Sequence, residues 1–426
     1  MTSSPEETAL PPWRAAIVPA LVGWIWARIC VAAGFLVAHR SLDLLDNPNG
    51  QISLDRGLFV WDGSYYRVLA QSWYDGANAD AARFFPLYPK LASVIAPIFG
   101  GNTDIALLVI SNLSALLAAV LCWRLAMEGL ARFADPSDSV SLASDGKRST
   151  GSNLSDSPWS SRLGGWLELK LLLGDRWFQP MRTDDAVAVA QRTSWMVMIF
   201  PAGFVMAFAY TESLALALTA GTLLALVRRQ FIVAGFLALL SAMLRPVGGL
   251  LLIPIAIELW QTRPRPNWAK ATIAVASPFV GITAALLWIN RSTGDFLLPW
   301  RLQQQIRGGF QDPVTRVLEP IGEILKGDFR DVYNFGFMVV FVFLGYQMVR
   351  LRQPLSWLAF TLVSSLILLS SQVTDSLGRY GLVVVPFIIA AAQWANTTWK
   401  QRIYAVGCSV AMIWLVSEAM ISRLVP

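Results

Sequence analysis

Histidine and cysteine are scarce in this 426-residue chain. His39 is the sole histidine, and Cys30, Cys122 and Cys408 all lie inside apolar runs. A Ser/His/Asp triad, a histidine base and a His-rich metal centre are all but excluded by the first fact. The second indicates neither a disulfide framework nor a thiolate metal site. Charge is scarce too, at 15% of residues against 55% hydrophobic ones, with a mean hydropathy of +0.51. That balance excludes an ordinary soluble domain and indicates an all-α polytopic membrane protein. No Gly-rich phosphate loop, zinc motif or dinucleotide fingerprint is present. Any proton chemistry therefore falls to carboxylates. The net charge of +6 reads as arginine placed at membrane faces and does not imply nucleic acid.

What the chain has in quantity is apolar runs. They fall at about 15–38, 104–127, 191–209, 211–228, 231–244, 246–261, 269–290, 333–349, 355–371, 380–396 and 402–421, which predicts about eleven spans. The runs at 231–244 and 246–261 meet at Arg245-Pro246, where proline breaks a helix. Counting them as two spans puts nine Lys/Arg on one set of short connections, at 228–229, 263–270, 350–352 and 400–402, and two on the other, Arg245 and Arg379. The positive-inside rule then assigns the nine to the cytoplasm. On that topology a single membrane domain carries a first extracytoplasmic loop at 39–103, a cytoplasmic insertion at 128–190 and a second extracytoplasmic loop at 291–332. Within the insertion, residues 135–162 read as disordered and 163–182 as an interfacial helix. The polar start, Met1 to Trp13, lacks the basic region of a cleaved signal peptide. Abundant alanine and a preference for Arg over Lys hint at a bacterial source, which would make the location a plasma membrane with the first loop facing outside; in a eukaryote it would be the endoplasmic reticulum membrane.

The first loop holds the most informative stretch, from Trp61-Asp62-Gly63-Ser64-Tyr65-Tyr66 to Arg83-Phe84-Phe85-Pro86-Leu87-Tyr88-Pro89. Tyr66, Leu69, Ala70 and Trp73 share one face of a short amphipathic helix, with Ser64, Arg67, Gln71 and Asp75 on another. Such a helix suits a bilayer surface. Pro89–Phe99, eleven residues at ~1.5 Å each, reaches about half of a ~30 Å hydrocarbon core and is expected to dip into it. Asp62, at the start of the amphipathic helix, suits an N-cap as well as a catalytic role.

Trp-Asp-Gly-x-Tyr-Tyr followed some twenty residues later by Phe-Phe-Pro-Leu-Tyr-Pro resembles the PIG-V mannosyltransferases, membrane glycosyltransferases of the GT-C class. Tyr210-Thr211-Glu212-Ser213 resembles that family's Tyr-Thr-Glu-Ser element, and Leu244-Arg245-Pro246-Val247-Gly248 its Arg-rich break between spans. The resemblance covers most of 58–260. Tyr65 stands where the eukaryotic enzymes typically have His, and the long insertion is a second departure; both weaken the case for a GPI-precursor acceptor.

The resemblance implies a GT-C-like helical bundle in which Asp62 is catalytic and mannose comes from a polyprenyl-phosphate donor. Asp62 would act as general base in an inverting transfer to a glycolipid, lipoglycan or protein acceptor at the outer face. Arg245 and Arg379 would bind the departing lipid phosphate. Glu212 would face the site, and Trp61, Tyr65 and Tyr66 would pack on sugar or prenyl chain. No cofactor is expected, and no metal ligand is assigned. Each residue also has a plainer reading: a first-turn acid for Glu212, snorkelling for Arg245 and Arg379, interfacial anchoring for the aromatics. Asp184-Asp185 is a weak acidic pair, and the polar residues of 291–332 read as solvated surface. The rival class is a multi-pass lipid or sugar transporter, in which the arginines bind a phosphate head group in passage. A non-catalytic subunit of a glycosylation complex is the third.

Overall fold

Each apolar run becomes helix, and the places where helices break decide where polar groups enter the bundle. A computed structural model describes residues 10–44, 48–76, 79–131, 178, 180–326, 332–371 and 376–424. Among these, five helices are long and apolar enough to cross a bilayer: Trp13–Leu42, Thr103–Ala131, Trp268–Thr293, Val332–Arg350 and Thr398–Met420. Two bent pairs bring the total to seven when each is counted as one span. They are Pro201–Ala207 with Glu212–Val227, bent by 107°, and Leu377–Val383 with Val385–Trp394, bent by 85°. The runs at 231–244, 246–261 and 355–371 form the shorter apolar helices Phe231–Leu244, Pro246–Gln261 and Leu355–Leu369. The run at 191–209 is shared between Thr183–Ile199 and Pro201–Ala207. Length alone therefore separates five to seven clear spans from the eleven runs. The chain is an all-α polytopic membrane protein, with one isolated β-bridge, Phe310 to Ser371, among the described residues.

Small residues let the central helices approach. Thr103–Ala131 buries Ala115, Ala118, Ala119, Cys122 and Ala126 where it packs on Thr183–Ile199 and Glu212–Val227. Lipid offers no hydrophobic drive between apolar helices, so close packing of this kind supplies the adhesion. Ile17–Leu44 lies against Thr398–Met420 and Thr183–Ile199, and Phe231–Leu244 against Trp268–Thr293. The three cysteines are unbonded thiols.

The disorder read for 135–162 lies outside the described residues, as does the interfacial helix at 163–182 apart from Phe178 and residues 180–182. The two flanks of that insertion meet, with Met181 N–H donating to Leu130 O at 2.9 Å. Asp184 and Asp185 sit in the first turn of Thr183–Ile199, where the helix dipole favours acids. In the second loop, Leu298–Arg307 and Pro313–Leu325 are helical, and Leu302 is buried in the aromatic cluster around Tyr66 and Tyr88.

The amphipathic helix of the first loop spans Asp62–Ser72 and buries Gly63, Tyr66, Leu69 and Ala70, the face that the spacing marks. Leu87–Ile95 follows and continues as a 3-10 turn to Phe99. Tyr66 meets Phe84 and Tyr88 edge-on, both at 5.1 Å between ring centroids. Such pairs contribute about 0.5–1.5 kcal/mol each beyond their burial. They fix the helix that begins at Asp62.

Candidate functional site

Asp62 is the first helical residue, preceded by Trp61 at φ 54° and ψ −123°. A bulky residue at positive φ is strained by about 1–3 kcal/mol and persists only where its surroundings hold it. Here the Trp61 indole N–H donates to Ala419 O at 3.1 Å. The neighbouring backbone is tied to the Tyr210-Thr211-Glu212 element: Ala209 N–H donates to Leu58 O at 3.0 Å, the Tyr210 hydroxyl reaches Val60 O at 3.4 Å, and the Tyr66 and Thr211 hydroxyls are 3.3 Å apart. Two sequence motifs 150 residues apart are thus locked together. Burial pushes the Tyr66 phenol well above its ordinary value, so it stays a neutral hydrogen-bonding group.

Four ionisable side chains alternate in sign across this junction. Arg379 Nη1 donates to Asp62 Oδ2, and Arg379 Nε lies 3.2 Å from Glu212 Oε1. Arg245 Nη1 donates to the same Glu212 oxygen at 2.7 Å. Arg379 Nη2 adds a bond to Ser376 Oγ at 3.1 Å. Side-chain exposures of 1% for Glu212, 6% for Arg379, 11% for Arg245 and 20% for Asp62 make Glu212 the most enclosed and Asp62 the most accessible. Glu212 Oε2 is buried and accepts no hydrogen bond from any described residue.

Helix breaks place all four. Arg245 is extended, at φ −156° and ψ 144°, between Phe231–Leu244 and the 3-10 turn Pro246–Leu251. The turn is so tight that a Cβ on Gly248 would lie 2.2 Å from Ser241 O, so only glycine fits. Glu212 opens the helix after the 107° bend. Arg379 sits in the short helix Leu377–Val383, where Gly378 and Gly381 let the backbone settle onto Phe337 and Phe341; a Cβ at either would come within 2.4 Å of a ring. The guanidinium of Arg245 lies over Tyr380 at 4.7 Å, and that of Arg379 lies 5.3 Å from both Tyr210 and Tyr380.

The electrostatics of Asp62 follow from these neighbours. Burial alone would raise its pKa, but Arg379, through its charge and hydrogen bond, outweighs this with help from Arg83 and Arg245. The carboxyl is held below its usual range. A depressed carboxylate contributes stability that is fully present above the unfolded value of about 3.9 and is lost as pH falls through the folded value. With Arg379→Gln the burial effect loses its main opponent, so the apparent pKa of Asp62 rises. NMR titration of the Asp62 carboxyl should place it at higher pH in Arg379→Gln than in wild type; an unmoved titration would contradict Arg379 as the main cause of the depression.

Asp62, Arg379, Glu212 and Arg245 are therefore joined in one chain of contacts, and Trp61 and Tyr66 buttress it. The N-cap reading of Asp62 is not what the fold uses: the helix has no side-chain cap, and the carboxylate faces Arg379. Tyr65 stacks on Phe84 at 4.9 Å and 25°. Sequence reasoning gave no role in the site to Ser376, Tyr380, Arg83 or Arg28. Arg28 had a legible signal, a lone charge inside an apolar run. Its Nε and Nη2 donate to Asn112 Oδ1 at 3.2 and 2.6 Å, and Nη2 also to Met206 O at 3.0 Å. The Ser111 and Ser213 hydroxyls converge on the same carbonyl at 3.3 and 3.4 Å. Broken helices leave carbonyls unpaired, and these donors satisfy the one at the bend before Glu212. Arg28→Leu should cost about 1–3 kcal/mol, read as a lower unfolding temperature in detergent, with Arg28→Lys recovering part of the loss.

Among the described residues no three His, Cys, Asp or Glu side chains come close enough to hold a metal ion. Fold and site together define a polytopic membrane protein with a buried, charge-alternating centre built at helix breaks. No family model and no curated protein matches the chain. Among solved structures, the Archaeoglobus fulgidus oligosaccharyltransferase tethered to an acceptor peptide containing the NVT sequon is similar at a TM-score of 0.40 and 10% identity, over 94% of this chain. The chain spans 56% of that protein's length.

Proposed function

We propose that the chain is a GT-C-class membrane glycosyltransferase that transfers mannose from a polyprenyl-phosphate donor to a glycolipid, lipoglycan or protein acceptor, with inversion at C1. The observation that carries this reading is the row Asp62, Arg379, Glu212, Arg245, which joins three motifs that resemble one glycosyltransferase family. Beside Arg245 and Tyr380 opens a mostly apolar crevice lined by Leu250, Phe360, Leu368 and Val383. A ligand with an anionic head and an apolar tail matches a cationic rim on such a crevice.

Asp62, the most accessible carboxylate, accepts the proton of the acceptor hydroxyl while that oxygen attacks C1 of mannose from the face opposite the phosphate. The C1–O bond breaks, its electron pair leaves with the lipid phosphate, and Arg245 and Arg379 offset the growing charge. Arg379 has a further part. Tied to Asp62, it weakens that carboxylate as a base; drawn toward a phosphate, it releases the base as the donor arrives. Glu212 holds both arginines through Oε1 and leaves Oε2 to accept a hydroxyl of the sugar. Location follows the charge pattern, with the site at the extracytoplasmic face of a bacterial plasma membrane.

The two sharply bent segments also suit a transporter, whose substrate sites are built at broken helices. One experiment separates the readings. Purified protein in nanodiscs is given synthetic polyprenyl-phosphate-mannose or GDP-mannose together with a lipid extract of the source cells, and products are weighed by mass spectrometry. Mannosylated product from the lipid donor alone is expected. Absence of product from folded protein, with donor crossing the bilayer of proteoliposomes, would establish the transporter.

A further inference from the structure

The charged row is neutral by itself, two carboxylates against two guanidiniums, yet a third guanidinium stands at its edge. Arg83 ends the 3-10 turn Ala79–Arg83, and its charge reaches Asp62 strongly enough to help depress that carboxyl. It lies over the stacked pair Tyr65 and Phe84, 5.1 and 4.8 Å from their ring centroids. Its Nε is buried without a partner, and among the described residues its guanidinium makes no hydrogen bond or ion pair. Arg245 and Arg379, by contrast, are each engaged by an acid.

We infer that Arg83 is the first ligand of the donor's phosphate, held ready on the Tyr65–Phe84 platform. This rests on the proposed donor class and adds the residue that recruits it. An anion binds at least cost where positive charge is not already spent, because no ion pair must be broken first. A guanidinium that rests against aromatic rings and makes no hydrogen bond to a described residue keeps its Nη N–H groups for contact with phosphate oxygens. Arg245 and Arg379 then join as the charge grows, while Arg83 sets affinity. A residue that acts on binding rather than on the transition state changes KM more than kcat.

The test measures equilibrium binding of a synthetic short-chain polyprenyl monophosphate to the full-length protein in nanodiscs, for wild type, Arg83→Gln and Arg83→Lys. Inorganic phosphate, GDP-mannose and unphosphorylated polyprenol serve as comparison probes. Arg83→Gln should weaken polyprenyl phosphate about 10- to 100-fold, the range for a lost charge-assisted hydrogen bond. Arg83→Lys should recover part of this, and polyprenol binding should not change. The unfolding temperature without ligand should fall only modestly, since Arg83→Gln loses two cation–π contacts and the support its charge gives to ionised Asp62 but no hydrogen bond or ion pair to a described residue. Equal affinity of wild type and Arg83→Gln for the monophosphate overturns the role of Arg83 alone. Failure of folded wild type to bind the monophosphate overturns the donor assignment and this inference with it. Binding of inorganic phosphate or GDP-mannose as tight as that of the lipid would make the site a general phosphate site and contradict a lipid donor.

Discussion

Asp62→Asn should lower mannose transfer by about 10²- to 10⁴-fold, the usual worth of general-base assistance, while donor binding changes little. The substitution is nearly isosteric and keeps a side-chain oxygen able to accept from Arg379, so the fold should persist. What is lost is the capacity to take a proton. A single-turnover assay with saturating donor isolates this step from binding and release. Near-normal turnover from folded Asp62→Asn would remove the base from Asp62. One refinement follows from Arg379: the variant loses one negative charge, so the site becomes more cationic and should hold the lipid phosphate slightly more tightly. Lower kcat with equal or lower KM is therefore the signature, distinct from the KM effect expected at Arg83.

Glu212→Gln should be the most destabilising change in the site. Glu212 is almost wholly enclosed and its Oε1 serves two arginines, 2.7 Å from Arg245 and 3.2 Å from Arg379. Removing its charge leaves three guanidiniums near one carboxylate in a buried setting. Breaking a buried pair by deleting one partner typically costs about 3–5 kcal/mol, because the remaining charge is stranded. The measurement is thermal unfolding in nanodiscs, and the control is the double variant Glu212→Gln/Arg245→Gln. It restores charge balance and should be less destabilised than the sum of its parts, a coupling that a double-mutant cycle reads directly. Additive losses would show that Glu212 and Arg245 do not act as a pair. A fall in donor binding with Glu212→Gln at temperatures where the protein stays folded would add that Glu212 touches the ligand.

Much of this was legible in the chain, and the reasons differ by residue. Apolar runs read directly as helices because lipid allows little else, and the break at Arg245-Pro246 was visible because proline cannot continue a helix. The buried face of Asp62–Ser72 followed from spacing. The partner of Asp62 did not, since Arg379 lies 317 residues away and only the tertiary fold brings it near. Local reasoning offered an N-cap, and the long-range ion pair won. Glu212 looked like a first-turn acid and is one, but its second role depends on two bends that hydropathy cannot reveal. Short helices blurred the span count, because Phe231–Leu244 and Leu355–Leu369 are apolar enough to be read as spans and fall short in length. Arg83 was visible at the head of its motif but carried no role, because only the fold sets its guanidinium 5.1 and 4.8 Å from the ring centroids of Tyr65 and Phe84.

The most direct test of the central claim is the configuration of the product. Wild-type protein in nanodiscs is given polyprenyl-phosphate-mannose of defined anomeric configuration, and the mannosylated acceptor is analysed by NMR. A row in which one carboxylate takes the acceptor proton and arginines receive the leaving phosphate predicts a single inverted anomer. Retained configuration would mean front-side attack or double displacement through a carboxylate, and would contradict Asp62 as the base of a direct displacement.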